Sequence, residues 1–108
     1  MATVTAAIGG LSVNHNSESS LFLLGTGFVK GSSGTMVTVH YPTTGSVLYE
    51  WTGKVHKTST DSTKAEVKVK QNKMLTAEQL KKQQDVIDLV RILVDATKID
   101  VPIELYQE

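Results

Sequence analysis

The sequence predicts a mainly β protein: a small antiparallel β-sandwich over residues 1–73, then one α-helix at about 76–97 and an extended tail. Three observations predict it. All eight glycines and 20 of the 22 Ser/Thr residues lie before Met74. The front part holds several short segments with apolar residues at every second position, each bounded by turn residues, which is the pattern of an antiparallel β-domain. The back part opens with Thr76 and Gln79 at capping-box spacing and continues into a long apolar stretch.

The elements follow in order. Ala2–Ile8 is β-leaning and Gly9-Gly10 closes it. Residues 12–20 are a polar loop. Ser20–Leu24 is a short apolar run, read as a buried strand because it is too short for a helix and is stopped by Gly25-Thr26-Gly27. Phe28 is expected to plug one end of the core. Thr35–Tyr41 alternates, with Val37, Val39 and Tyr41 on the buried face. Pro42–Gly45 is a turn, since proline lacks the donor a sheet ladder needs. Val47, Tyr49 and Trp51 share the inward face of the next strand. Gly53 marks a bulge or turn, and Lys54–Thr58 forms a further short strand. Lys64–Lys70 places Ala65, Val67 and Val69 inward and its lysines outward, where they would protect a sheet edge.

Glu78 sits in the first turn of the expected helix, where the dipole favours an acid. Val101-Pro102 forces an extended tail, because the residue before proline avoids the helical region. The second half of the helix is apolar over an arc of roughly 220°, about twice what a surface helix requires. Two seams result. Val86, Leu89, Leu93 and Ala96 lie on one; Leu80, Ile87, Val90 and Val94 lie on the other. One seam is expected to dock on the β-domain. The other is expected to meet a partner chain or the tail, with Val101, Ile103 and Leu105 completing the interface. Arg91 would pair with Asp88 and Asp95 one helical turn away. On this reading Leu93→Asp abolishes folding or assembly.

The segment from Leu11 to Lys70 resembles the IPT/TIG type of immunoglobulin-like domain. The resemblance is carried by Leu21-Phe22-Leu23-Leu24-Gly25-Thr26-Gly27-Phe28, by the valine-alternating Thr35–Tyr41, and by the closing Thr58–Lys70. It implies a sandwich that binds partners or acts as a spacer, with no catalytic site.

Composition narrows the function. With 108 residues, one domain is the default, and the β part alone is small for an independent core. The chain has no cysteine, so disulfides and thiolate metal sites are excluded. Net charge is zero, which argues against a chain-wide nucleic-acid footprint. The charge is segregated, however. Residues 54–73 hold six lysines against two acids, whereas residues 74–108 hold seven acids against four cations. No apolar stretch approaches the roughly 20 residues that span a bilayer, and the first residues lack the pattern of a signal peptide.

No enzyme signature is present. Gly25-Thr26-Gly27 and Gly31–Gly34 are not followed by the Lys-Ser/Thr of a phosphate loop. His15, His40 and His56 share no metal-ligand spacing, and no nucleophile elbow occurs. The expectation is a non-enzymatic structural or assembly protein without cofactors, catalytic residues or metal sites. It would act through contacts with other protein subunits, as a homo-oligomer or on a capsid lattice. A bacteriophage virion accessory or capsid-decorating protein is the expected setting, with a cytoplasmic adaptor as the alternative. The competing function is a carbohydrate- or partner-binding immunoglobulin-like module that uses the loop at residues 14–20.

Overall fold

The computed structural model describes residues 1–43, 47–74 and 89–107. The chain runs through eight strands: β1 (Thr3–Ser12), β2 (Glu18–Thr26), β3 (Met36–Tyr41), β4 (Tyr49–Thr58), β5 (Lys64–Gln71), β6 (Leu89–Val94), β7 (Thr97–Pro102) and β8 (Glu104–Tyr106). They form a single sheet in the order β7-β6-β3-β4-β5-β2-β1-β8. Every pairing is antiparallel except that of β1 with β8, which is parallel.

The two ends of the sheet meet. Gly10–Ser12 pairs with Glu104–Tyr106, and only Ile103 separates β7 from β8. The first half of β1 lies beside the β6–β7 hairpin, where the Val4 amide donates to Thr97 Oγ1 at 3.3 Å and the Ala2 amide to Asp95 Oδ2 at 2.7 Å. The result is a nearly closed barrel, which corrects the expected two-layer immunoglobulin-like sandwich. Closure removes free edges and surrounds one core.

The core follows the alternation of each strand. Val4 and Leu11 of β1, Leu21 and Leu23 of β2, and Val37, Val39 and Tyr41 of β3 point inward. So do Tyr49, Trp51 and Val55 of β4, Ala65, Val67 and Val69 of β5, and Val90, Ile92 and Val94 of β6. Phe28 is buried just past the glycine corner, as the sequence predicts. Tyr41, Tyr49 and Trp51 form a tilted aromatic stack with centroid separations of 6.0 and 5.7 Å. The Trp51 indole donates to the Ser12 carbonyl at 2.8 Å. Gln71 is buried beside it and donates to the Val13 carbonyl at 2.8 Å. These bonds satisfy polar groups that burial would otherwise leave unpaired.

The helix at 76–97 is the main correction. Leu89–Val94 is a strand, Asp95-Ala96 is a tight turn, and Thr97–Pro102 returns as the next strand. Among the described residues there is no helix. The capping-box residues Thr76 and Gln79, with Leu80, Val86 and Ile87, lie outside the described residues. In Leu-Val-Arg-Ile-Leu-Val the apolar residues spread over more than half of the circumference at helical spacing. At strand spacing they separate cleanly: Val90, Ile92 and Val94 are buried, whereas Leu89, Arg91 and Leu93 face out. Arg91 pairs across the hairpin with Asp100, at 2.8 and 3.0 Å, rather than with Asp88 and Asp95 along a helix.

Three smaller differences follow, two of which share a cause. β1 continues through Gly9-Gly10 to Ser12, and β4 continues through Gly53 to Thr58. Gly53 is required by neighbour packing: a β-carbon there would overlap the Lys68 carbonyl of β5. The β4 irregularity falls two residues later, between Val55 and Lys57. β5 is no edge strand, since β4 and β2 flank it. A glycine reads as a strand end in sequence, but a sheet also uses it where backbones approach closely.

Candidate functional site

The outer surface of the barrel has two chemically different sides. On β4-β3-β6-β7, cross-strand pairing aligns Glu50, His40, Arg91 and Asp100 in one polar row. His40 Nε2 and Glu50 Oε2 are 2.9 Å apart, and the Arg91 guanidinium makes a forked contact with Asp100. Its hydrogen bonds to Arg91 hold the Asp100 carboxyl below the usual carboxylate range. These polar groups satisfy one another across the strands, a local stabilising arrangement.

The other side is apolar. In register, Ile8 of β1 lies opposite Phe22 of β2, and Ala6 lies opposite Leu24. Ile8, Phe22 and Leu24 are 70, 49 and 47% exposed. They border a groove of about 420 Å³ that is also lined by Lys57 and Thr58 of β4, by Ser59 just beyond it, and by Lys64–Glu66 of β5. The irregularity at Val55/Lys57 shifts the alternation of β4, so that His56 and Lys57 are both exposed and Lys57 lines the groove. Long lysine stems supply apolar surface while their ammonium groups stay in water.

Cations crowd the same side. Lys54, Lys57, Lys64, Lys68 and Lys70 are all exposed on β4 and β5, and Lys54 and Lys68 lie opposite each other in register. Two acids share these strands: Glu66 lies between Lys64 and Lys68 on β5, and Glu50 lies near the start of β4, before Lys54. Lys54 Nζ donates to the Ser32 carbonyl. Among the described residues none of the five makes an ion pair. The groove is therefore an apolar cleft with a basic flank.

Residues expected at an interface are distributed differently. Leu89 is at the surface, Leu93 faces out half-buried, and Ala96 is exposed in the β6–β7 turn. Ile103 is buried in the core, and Val101 and Leu105 pack against it. Val86 lies outside the described residues. No residue of that set lines the groove. Sequence reasoning missed Phe22 and Leu24 by assigning all of Ser20–Leu24 to the interior. The signal was present: Glu18 and Ser20 face out, and continuing their two-residue step puts Phe22 and Leu24 out as well.

No family model, curated protein or solved structure matches the chain. The candidate site is therefore built from its own geometry.

Other chemistry is sparse among the described residues. No cluster of three or more His, Asp or Glu could hold a metal ion. Tyr49 and Trp51 are buried, so they form no surface platform. His15 and His56 are exposed. No described helix is long and apolar enough to cross a membrane.

The Ser59–Thr63 turn carries one shifted acid. Asp61 accepts from the Thr63 hydroxyl at 2.6 Å, the Ser59 hydroxyl at 2.7 Å and the Thr63 amide at 3.2 Å. These bonds, the Thr63 hydroxyl first, lower its pKa from 3.8 to about 2. A depressed folded-state pKa contributes stability above the unfolded value and loses it as pH falls through the folded value. The melting-temperature difference between the native chain and Asp61→Ala is expected to be small, because the turn is exposed. It should be constant above about pH 5 and shrink between the two pKa values. A difference that grows on acidification in a pH series of thermal melts would contradict this assignment.

Proposed function

We propose that this chain is a non-enzymatic structural or assembly module that works by protein–protein contact through the outer face of β1 and β2. The observation that carries the reading is the exposure of Ile8, Phe22 and Leu24 together beside a groove. The barrel already has a filled core, so these side chains are not needed inside it. Contiguous large apolar side chains at the surface of a small domain mark contact sites. A capsid-decorating or other virion accessory role, suggested by composition, remains the setting of this proposal, with a lattice or sister subunit as the covering protein.

Site-specific photocrosslinking tests the reading in the native cell. A benzoylphenylalanine at position 22 is expected to yield a discrete protein adduct, whereas the same group at position 40, on the polar row, is expected to yield none. An adduct of twice the 11.7 kDa chain mass would identify a sister copy. Equal labelling from both faces, or no adduct from position 22, would overturn the proposal.

A further inference from the structure

We infer that the groove beside Phe22 receives an acidic segment of a protein partner, with one large apolar side chain seated in the cleft and carboxylates against the flanking lysines. The inference rests on the contact reading above and adds the partner's chemistry. Three observations carry it.

First, the cleft and the charge are contiguous. Lys57 and Lys64 line the groove, and Lys54, Lys68 and Lys70 extend the same basic side along β4 and β5. Without internal ion pairs among the described residues, this charge repels itself until a partner of opposite sign arrives. Complementary charge at the rim accelerates encounter and rejects basic competitors.

Second, docking must use side chains. β2 is hydrogen-bonded on both edges, to β1 and β5, and β5 on both edges, to β2 and β4. Neither strand can accept an added strand, so the backbone route of peptide recognition is closed at these two strands. What remains is an apolar anchor in a pocket with a polar rim, the usual anatomy of a contact hot spot.

Third, the charge pattern favours a narrow segment over a flat anionic surface. Glu18 on β2 and Glu104 on β8 are exposed on strands bordering the same side. They would oppose an anionic membrane lying across the face. A segment following the groove and β5 meets Lys57, Lys64 and Lys68 around the single acid Glu66 and avoids Glu18 and Glu104.

The test is selection of a random linear peptide library on the immobilised full chain, followed by binding measurements on the enriched peptides. Peptides with a large apolar residue flanked by Asp or Glu are expected. Their affinity should fall about tenfold or more in Phe22→Ser, as for a contact anchor. It should fall roughly three- to tenfold in the Lys57→Gln/Lys64→Gln double variant, and fall with added salt. Lys30→Gln, away from the groove, should change nothing. All these side chains are exposed, so circular dichroism and melting should confirm that the variants fold. Enrichment of neutral or basic peptides that still need Phe22 would overturn the acidic inference and leave the contact reading standing. No Phe22-dependent enrichment would overturn both. Vesicle co-sedimentation supplies the last arm. Binding to phosphatidylserine-containing vesicles but not to phosphatidylcholine vesicles, abolished by Phe22→Ser, would assign the face to a membrane and overturn the protein-segment inference.

Discussion

Ile92→Asp is expected to unfold the protein at neutral pH, while Leu93→Asp leaves it folded. Ile92 is fully buried between Val39 of β3 and Ile99 of β7 in register. A carboxylate there has no cation to meet, and burying an unpaired charge belongs to the rare class of substitutions costing more than about 4–5 kcal/mol. That approaches the whole stability of a small domain, about 5–15 kcal/mol. Leu93 faces out, between Thr38 and Lys98 in register. Aspartate at that position loses β-propensity and some contact, roughly 1 kcal/mol. The helical reading predicts the opposite order, because Leu93 sits on a docking seam and Ile92 on neither. Urea unfolding of the two variants, followed by circular dichroism, separates the alternatives. A folded Ile92→Asp beside an unfolded Leu93→Asp would overturn the strand assignment of this segment.

Trp51→Ala is expected to cost about 3–5 kcal/mol from the lost side chain and its cavity. The indole is completely buried, stacks on Tyr49, and donates to the Ser12 carbonyl. Its removal leaves that carbonyl without its indole donor, which adds about 1–3 kcal/mol where water cannot enter. The bond also ties the end of β1, where the barrel closes onto β8, to the first part of β4. The urea midpoint should drop by roughly 2–4 M, taking a slope of about 2 kcal/mol per molar. Trp51→Phe keeps most of the volume and loses the hydrogen bond, so it should fall between the two. A midpoint shift in Trp51→Ala no larger than that in Trp51→Phe would show that the seam does not depend on the indole.

Both predictions turn on inward positions, and most of those were legible. Val37, Val39 and Tyr41, then Tyr49 and Trp51, then Ala65, Val67 and Val69 were assigned to the core by alternation alone, and all are buried. They were readable because polar and apolar residues alternate there without interruption. β2 and β6 were not readable in the same way. Leu21–Leu24 and Leu89–Val94 carry apolar residues on both faces, so a two-residue period has no contrast to work with. One stretch became a wholly buried strand and the other a helix. The candidate site fell in that blind spot, since Phe22 and Leu24 are the outward apolar residues of such a strand.

The β-rich character, the inward set of the alternating strands, the absence of cysteine chemistry and the concentration of lysines on two segments are local properties, set by side-chain period and residue type and legible in the residues alone. That the strands form one nearly closed sheet is not local, because closure depends on pairing between residues far apart in the chain. Leu11 meets Leu105, and Val4 meets Thr97. Pairing also decided which lysines stand beside which apolar residues. Phe22 faces Glu66, Leu24 faces Lys64, and Lys57, just past the register shift in β4, lines the same cleft. The apolar groove with its basic flank is thus a property of strand register, which no single segment encodes.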